Sequence, residues 1–290
     1  MALTDDVRAH CARIAATARS VTIDHAALEA FEAAPQAVLD PDLHLLDGPP
    51  EVLARHMLTI DALNFGSGWF PTLRKRPGHS GYATIAAALS ERARGEGPWT
   101  NAQLRKLDTA TVADTLGQAH DHELMSLYTQ ALRALGGWLG GRGVLDAVGE
   151  AGGSAEAFAA SLAAGMAMFR DRGFYKRAQI APANLALAGV AGFHDLDRLT
   201  IFADNLVPHV LRCDGVLRYD ERLAAHIDAG RDLRPGPQER EIRACALHAC
   251  ELLAARLHVP PRVLDNWLWN RGQAPAYKAR PRHRCRCVFY

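Results

Sequence analysis

The stretch Phe202-Ala203-Asp204-Asn205-Leu206-Val207-Pro208-His209 sets one carboxylate between an aromatic ring and the start of an apolar run with helical character. Upstream, Phe174-Tyr175-Lys176-Arg177 joins two rings to two cations. An acid at a helix start, an aromatic wall and a cation pair are parts suited to breaking a glycosidic bond. The acid meets positive charge building on the sugar, the ring stacks on a planar leaving group, and guanidinium plus ammonium hold an oxyanion. Each part also has a plainer use. Asp204 could be a helix cap worth about 1 kcal/mol, although Pro208 has no N–H to give to the first turn. Lys176-Arg177 could be a solvated turn, but the flanking Phe174 and Tyr175 argue for partial burial.

Other segments carry chemistry more loosely. Leu264-Asp265-Asn266-Trp267-Leu268-Trp269-Asn270 places Asp265 and Trp269, and then Asn266 and Asn270, at i, i+4 on a helix. Polar groups between tryptophans suit the rim of a base-sized pocket, or else an ordinary core edge. His44, set among leucines, reads first as a satisfied core histidine. In Asp61-Ala62-Leu63-Asn64-Phe65-Gly66-Ser67-Gly68-Trp69, Asp61 reads as structural and Trp69 is open to either use. Glu239 to Arg243 reads as a first helical turn with internal pairing. The six cysteines include no Cys-x-x-Cys pair, and Cys285 and Cys287 with His283 fall short of four ligands, so no metal is expected. Gly140-Gly141-Arg142-Gly143 lacks the strand and the Gly-Lys-Ser/Thr of a phosphate loop, and no cofactor is expected.

The elements that must position these residues read as helices. Thr4 is placed to cap a first helix with Val7, Cys11 and Ile14 on one face. Pro50, Pro237 and Pro260-Pro261 sit at helix starts, and Ser80 and Ser154 at caps. Helix ends are expected at Gly95, at Gly136-Gly137, near Phe169 and near Gly272. Alternating strand patterns are nearly absent. The expectation is an all-α chain of about a dozen helices. It forms a single large domain over 1–290, or two lobes meeting near the glycine-rich stretch 136–153. The basic, aromatic tail from Gln273 is expected to fold back over the body.

Bulk properties narrow the partners. With 290 residues and 49% hydrophobic residues the chain can bury a sizeable core. The 33 basic and 32 acidic residues give a formal net charge of +1, whereas proteins that grip a long polyanion carry a basic excess. A small substrate is expected rather than a polynucleotide. No apolar run approaches the roughly 20 residues of a membrane span, so the expected location is the cytoplasm and no membrane partner is expected. Nothing in the sequence assigns an oligomeric state.

At these same residues the chain resembles the queuosine salvage family of queuosine 5′-phosphate N-glycosylases/hydrolases. The resemblance runs through Asp61-Ala-Leu-Asn-Phe65, Ser80-Gly-Tyr82, Phe174-Tyr-Lys-Arg-Ala-Gln-Ile180 and Phe202-Ala-Asp204. It continues through Glu241-Ile-Arg243, Leu264-Asp265, Leu268-Trp269 and His283-Arg-Cys-Arg-Cys-Val-Phe-Tyr290. More faintly, the segment from Lys176 to Arg212 resembles helix-hairpin-helix DNA glycosylases. The first resemblance implies an all-α hydrolase that releases queuine from queuosine 5′-monophosphate. It makes Asp204 the catalytic carboxylate, Phe202 the ring under the base, and His44 and Asp265 contacts for the base and its cyclopentenediol-amine arm. Asn266 and Asn270 join the substrate-binding set. The family carries Tyr and Asp at these two places, which leaves Asp265 as the partner of the substrate amine. Lys176 and Arg177 are the phosphate candidates, with Arg284 and Arg286 in reserve. The competing readings are a DNA-repair glycosylase, which would need a basic duplex-facing surface, and a non-catalytic nucleotide-binding helical protein.

Overall fold

A computed structural model describes residues 2–290. In chain order the elements are α1 (Leu3–Thr17), β1 (Val21–Ile23), α2 (His25–Ala30), α3 (Pro50–Ala62), α4 (Gly81–Glu96), α5 (Asn101–Lys106), α6 (Thr109–Thr115), α7 (Glu123–Leu139) and α8 (Val144–Glu150). They continue with α9 (Ala155–Gly165), α10 (Lys176–Leu187), α11 (Val207–Cys213), β2 (Leu217–Tyr219), α12 (Glu221–Asp228), α13 (Pro237–Leu257), α14 (Pro261–Arg271) and α15 (Pro275–Lys278). The fold is all-α. The strands among the described residues are one antiparallel pair, Val21 opposite Tyr219 and Ile23 opposite Leu217. No helix among them is long and apolar enough to cross a membrane.

The chain divides into two compact units, each built from separate pieces of sequence. The first comprises Met1–Val38, Arg172–Lys176 and Asp197–Cys287; the second comprises Leu39–Asp171, Arg177–Leu196 and Val288–Tyr290. The glycine-rich stretch 136–153 lies inside the second unit, and the chain passes between units elsewhere.

In the first unit the organising element is α13. Ile242, Cys245, Ala246, Ala249, Cys250 and Leu253 are all buried on it, and α1 packs along it through Val7 and Cys11. Arg8 and Glu251 close that contact with an ion pair of 2.8 Å. Helices α11 and α14 bury Val207, Val210, Leu211, Leu264 and Leu268 in the same core. In the second unit α7 packs on α3, α5 and α6. The Tyr128 ring meets Phe65 edge-on at 5.1 Å, and its hydroxyl donates to the Phe65 carbonyl.

Local chemistry explains most helix starts. Pro50, Pro237 and Pro261 occupy first-turn positions where the missing N–H has no consequence. Ser80 and Ser154 accept from the backbone N–H groups of Ala83 and Ala157. Four expectations are corrected. Helix α4 runs through Gly95 to Glu96 and is capped by Gly97. Thr4 lies inside α1, fully buried, with Ala2 at the cap. The run opened by Ser154 ends as α-helix at Gly165, before a short 3-10 turn over Ala167–Phe169. Helix α7 runs through Gly136-Gly137 to Leu139 and is capped by Gly140. Gly136 serves packing instead, since a Cβ there would stand 2.7 Å from the Leu104 Cβ on α5. The tail folds back as expected: in the first unit the Leu233 N–H donates to the Arg284 carbonyl at 2.7 Å, and in the second the Gly66 N–H donates to the Tyr290 carbonyl at 2.9 Å.

Gly272, which ends α14, is a comparable contact. A Cβ there would lie 2.8 Å from Leu206 Cδ1 and 2.9 Å from Val210 Cγ2 on α11. We expect Gly272→Ala to cost about 1–3 kcal/mol through overpacking, read as a lower urea midpoint. An unchanged midpoint would show that Leu206 can yield without loss.

Candidate active site

The loop entering α11 is held residue by residue. The Phe202 N–H donates to Asp265 Oδ1 on α14 at 2.8 Å. The Ala203 carbonyl accepts from Arg243 Nε on α13 at 2.9 Å. Asp204 Oδ1 accepts from the Leu206 and Val207 N–H groups at 2.7 and 3.1 Å. Asn205 Nδ2 donates to the His283 carbonyl at 3.3 Å. Asp204 therefore does cap the turn into α11, but with one oxygen. Its Oδ2 makes no hydrogen bond with any described residue, and the side chain is only partly buried. The carboxylate is thus aimed by its own backbone while half of it stays open for chemistry.

Arg243 is the strut of this loop. It is buried, its guanidinium carbon lies 3.9 Å from the centre of the Phe174 ring, and it pairs with Glu239 one turn back at 3.3 Å. The intrahelical pairing expected for Glu239 to Arg243 is present, but the reach to Ala203 is a role the sequence reading missed. A signal for it exists: Arg243 occupies the buried stripe that continues with Ala246, Cys250 and Leu253.

Asp265 is the electrostatic centre of the site. It is 5% exposed. Burial pushes its carboxyl up from the ordinary 3.8 to about 7, and the charge of Asp204 adds to the rise. The Phe202 N–H and the Lys176 ammonium oppose it. Cys250 on α13 faces the same carboxylate, which adds to the upward push that burial exerts on its thiol. Lys176 is itself buried and follows Tyr175, whose backbone adopts φ 51°, a conformation that non-glycine residues hold only when their surroundings enforce it. The first unit thus brings together Asp204, Phe202, Asp265 and Lys176 from three separate segments of chain.

The remaining candidates are placed differently. Asn266 Oδ1 accepts from the Val38 N–H at 2.9 Å and its Nδ2 donates to the Val38 carbonyl at 3.1 Å. Asn270 Nδ2 donates to that same Oδ1 at 2.9 Å. The Asn266 amide is therefore engaged with the backbone of Val38 on both sides. Arg177 lies in the second unit and is fully buried. Its Nη1 donates to the Ala62 carbonyl at 2.6 Å, its Nη2 to the Val288 carbonyl at 2.6 Å and to the Met168 carbonyl, and its plane sits between Phe65 and Phe169. That cation knits the second unit, and a phosphate would have to displace those bonds to use it. The reserves Arg284 and Arg286 both face Asp232, at 3.1 and 3.9 Å.

His44 also lies in the second unit. Its Nδ1 bonds the Asp40 carbonyl at 2.9 Å, which requires the proton on Nδ1. Nε2 is then the acceptor for the Tyr82 hydroxyl at 3.2 Å. Burial holds the imidazole below its usual range, so it stays neutral. Asp61 accepts from Asn184 Nδ2 at 2.7 Å and Trp69 Nε1 donates to Glu123 at 2.7 Å, so both serve structure. No group of three or more His, Cys, Asp or Glu among the described residues could hold a metal ion.

Because Asp265 holds a proton in the folded protein that the unfolded chain loses near pH 4, its contribution to stability falls as pH rises from about 4 to about 7. Asp265→Asn keeps an acceptor for Phe202 but cannot ionise. Wild type should lose ground to this variant, by on the order of a few kcal/mol, between about pH 4 and about pH 7 in urea titrations, and no further above that. A difference that is flat with pH would contradict the assignment.

The chain is similar to proteins of known name. The family described as queuosine salvage protein matches residues 44–290. A protein of Sphaerobacter thermophilus named queuosine 5′-phosphate N-glycosylase/hydrolase is 34% identical over 311 aligned residues, covering 96% of this chain and 95% of its own. Proteins of the same name from Mus musculus and Dictyostelium discoideum are 35% and 36% identical over 136 and 134 residues, about 40% of each chain. With the match extending from His44 to the last residue, the chain belongs to the queuosine salvage protein family.

Proposed function

We propose that this protein hydrolyses the N-glycosidic bond of queuosine 5′-monophosphate and releases queuine. The observation that carries the reading is the division of labour within Asp204: Oδ1 is fixed by two backbone N–H groups, and Oδ2 makes no hydrogen bond among the described residues. As the C1′–N9 bond lengthens, its electron pair leaves with the base and positive charge grows on the ribose. A carboxylate held still beside that carbon stabilises the charge without having to reorganise. Water then adds to C1′, and the proton it loses balances the one the departing base gains.

A 7-deazapurine lacks the N7 at which ordinary purines take up a proton, so its departure depends on contacts along its edge and on stacking. Phe202 is the stacking ring in this reading. Asp265, poised near neutrality, is the partner for the cationic amine arm. An ammonium group beside it favours the ionised carboxylate, so binding would release the proton held in the empty protein.

The test is release of queuine, followed by chromatography, from queuosine 5′-monophosphate. Asp204→Asn keeps a capping oxygen and removes the charge. It should fold like wild type and lose at least about a hundredfold in turnover. Asp204→Ala should lose as much activity and in addition about 1 kcal/mol of stability from the cap. Turnover near the wild-type rate in the Asn variant would refute the role of Asp204.

A further inference from the structure

We propose that Arg282 binds the 5′-phosphate of the substrate, an inference that rests on the reading of the substrate as a 5′-nucleotide. Four arginines stand in the tail at positions 280, 282, 284 and 286. Three have acidic partners: Arg280 lies 3.8 Å from Asp228, Arg284 lies 3.1 Å from Asp232 and also donates to the Gly230 carbonyl, and Arg286 lies 3.9 Å from Asp232. Arg282 makes no hydrogen bond, ion pair or ring contact with any described residue, although it is partly buried and loses hydration. Burial draws its pKa down, and the charge that most opposes this is the carboxylate of Asp204.

The Arg282 guanidinium is only partly buried, so its N–H groups still reach solvent, but no described residue offers them an acceptor. Such a group is retained where an anion arrives to complete it, and a phosphate matches its fork with two parallel bonds. The position is not accidental. The next residue, His283, gives its carbonyl to Asn205, the neighbour of Asp204, and the Arg284 carbonyl accepts from the Leu233 N–H. These two bonds hold the backbone on the C-terminal side of Arg282 beside the catalytic loop. In a 5′-nucleotide the phosphate is joined to the anomeric carbon through a single ribose ring. The bond from Asn205 to the carbonyl of His283 puts Arg282, one residue away, next to the segment that carries Asp204, which suits a phosphate partner when Asp204 acts at C1′. The assignment also resolves the cation pair of the sequence: Arg177 knits the second unit, Lys176 offsets Asp265, and the phosphate falls to neither.

The experiment compares wild type, Arg282→Gln and Arg282→Lys on queuosine 5′-monophosphate and on queuosine. We expect kcat/KM of Arg282→Gln on the nucleotide to fall by about ten- to a hundredfold more than on the nucleoside, mainly through KM. Arg282→Lys should recover part of the difference. Inorganic phosphate should raise the Tm of wild type and not that of Arg282→Gln. Equal losses on both substrates would overturn the proposal and assign Arg282 to Asp204 itself; an undiminished preference for the nucleotide would overturn it outright. Failure of the wild-type protein to release queuine from either substrate would instead reject the functional reading, and this proposal with it.

Discussion

A buried carboxylate, Asp265, accepting the N–H of Phe202 is the constraint from which the site follows. It ties α14 to the loop before α11 and fixes the aromatic residue two positions ahead of Asp204. It also places two carboxylates within reach of each other's fields, an arrangement that a low-dielectric interior tolerates only if one of them keeps a proton or a cation is near. Lys176 supplies part of that compensation, and the proton on Asp265 supplies the rest. The neighbouring strut, Arg243 on the Ala203 carbonyl, completes the restraint. Rigidity of this kind is what an electrostatic catalyst needs, because a carboxylate that must move to meet charge loses much of its effect.

The features legible in the sequence were those decided locally. Helix starts followed from proline without an N–H and from serine side chains that satisfy the first turn, and Pro50, Ser80, Ser154, Pro237 and Pro261 stand where expected. Helix ends were less legible, since Gly136 was read as a stop and proved to be a point where α5 presses against α7. At the site, Phe202 and Asp204 could be read because they lie within one short string with Asn205. A carboxylate has two oxygens, and in Asp204 the one that accepts from Leu206 and Val207 leaves the other free of that duty, so capping does not exclude the proposed chemical role.

The residues whose surroundings were not legible share a physical trait: their partners lie far along the chain. Asn266 reaches a peptide group 228 residues away. Arg177 closes on carbonyls 115 and 111 residues away. From sequence, a polar residue near an aromatic one suggests a ligand; in the fold, the same polarity satisfies backbone groups that burial would otherwise strand. Arg282 is the converse case. Its surroundings, rather than its identity, set it apart from the three arginines that alternate with it.

The pairing of β1 with β2 and the packing of α1 on α13 join the first residues of the chain to segments roughly two hundred positions later. During synthesis, α1 and β1 leave the ribosome long before their partners exist. At about 5–20 residues per second the amphipathic α1 waits for ten seconds or more with its apolar face uncovered. The second unit, contiguous from Leu39 to Asp171 for most of its length, can condense in that interval. The unit that carries Asp204 cannot close until α13 and α14 have been made, and the second unit receives its last piece, Val288–Tyr290, later still.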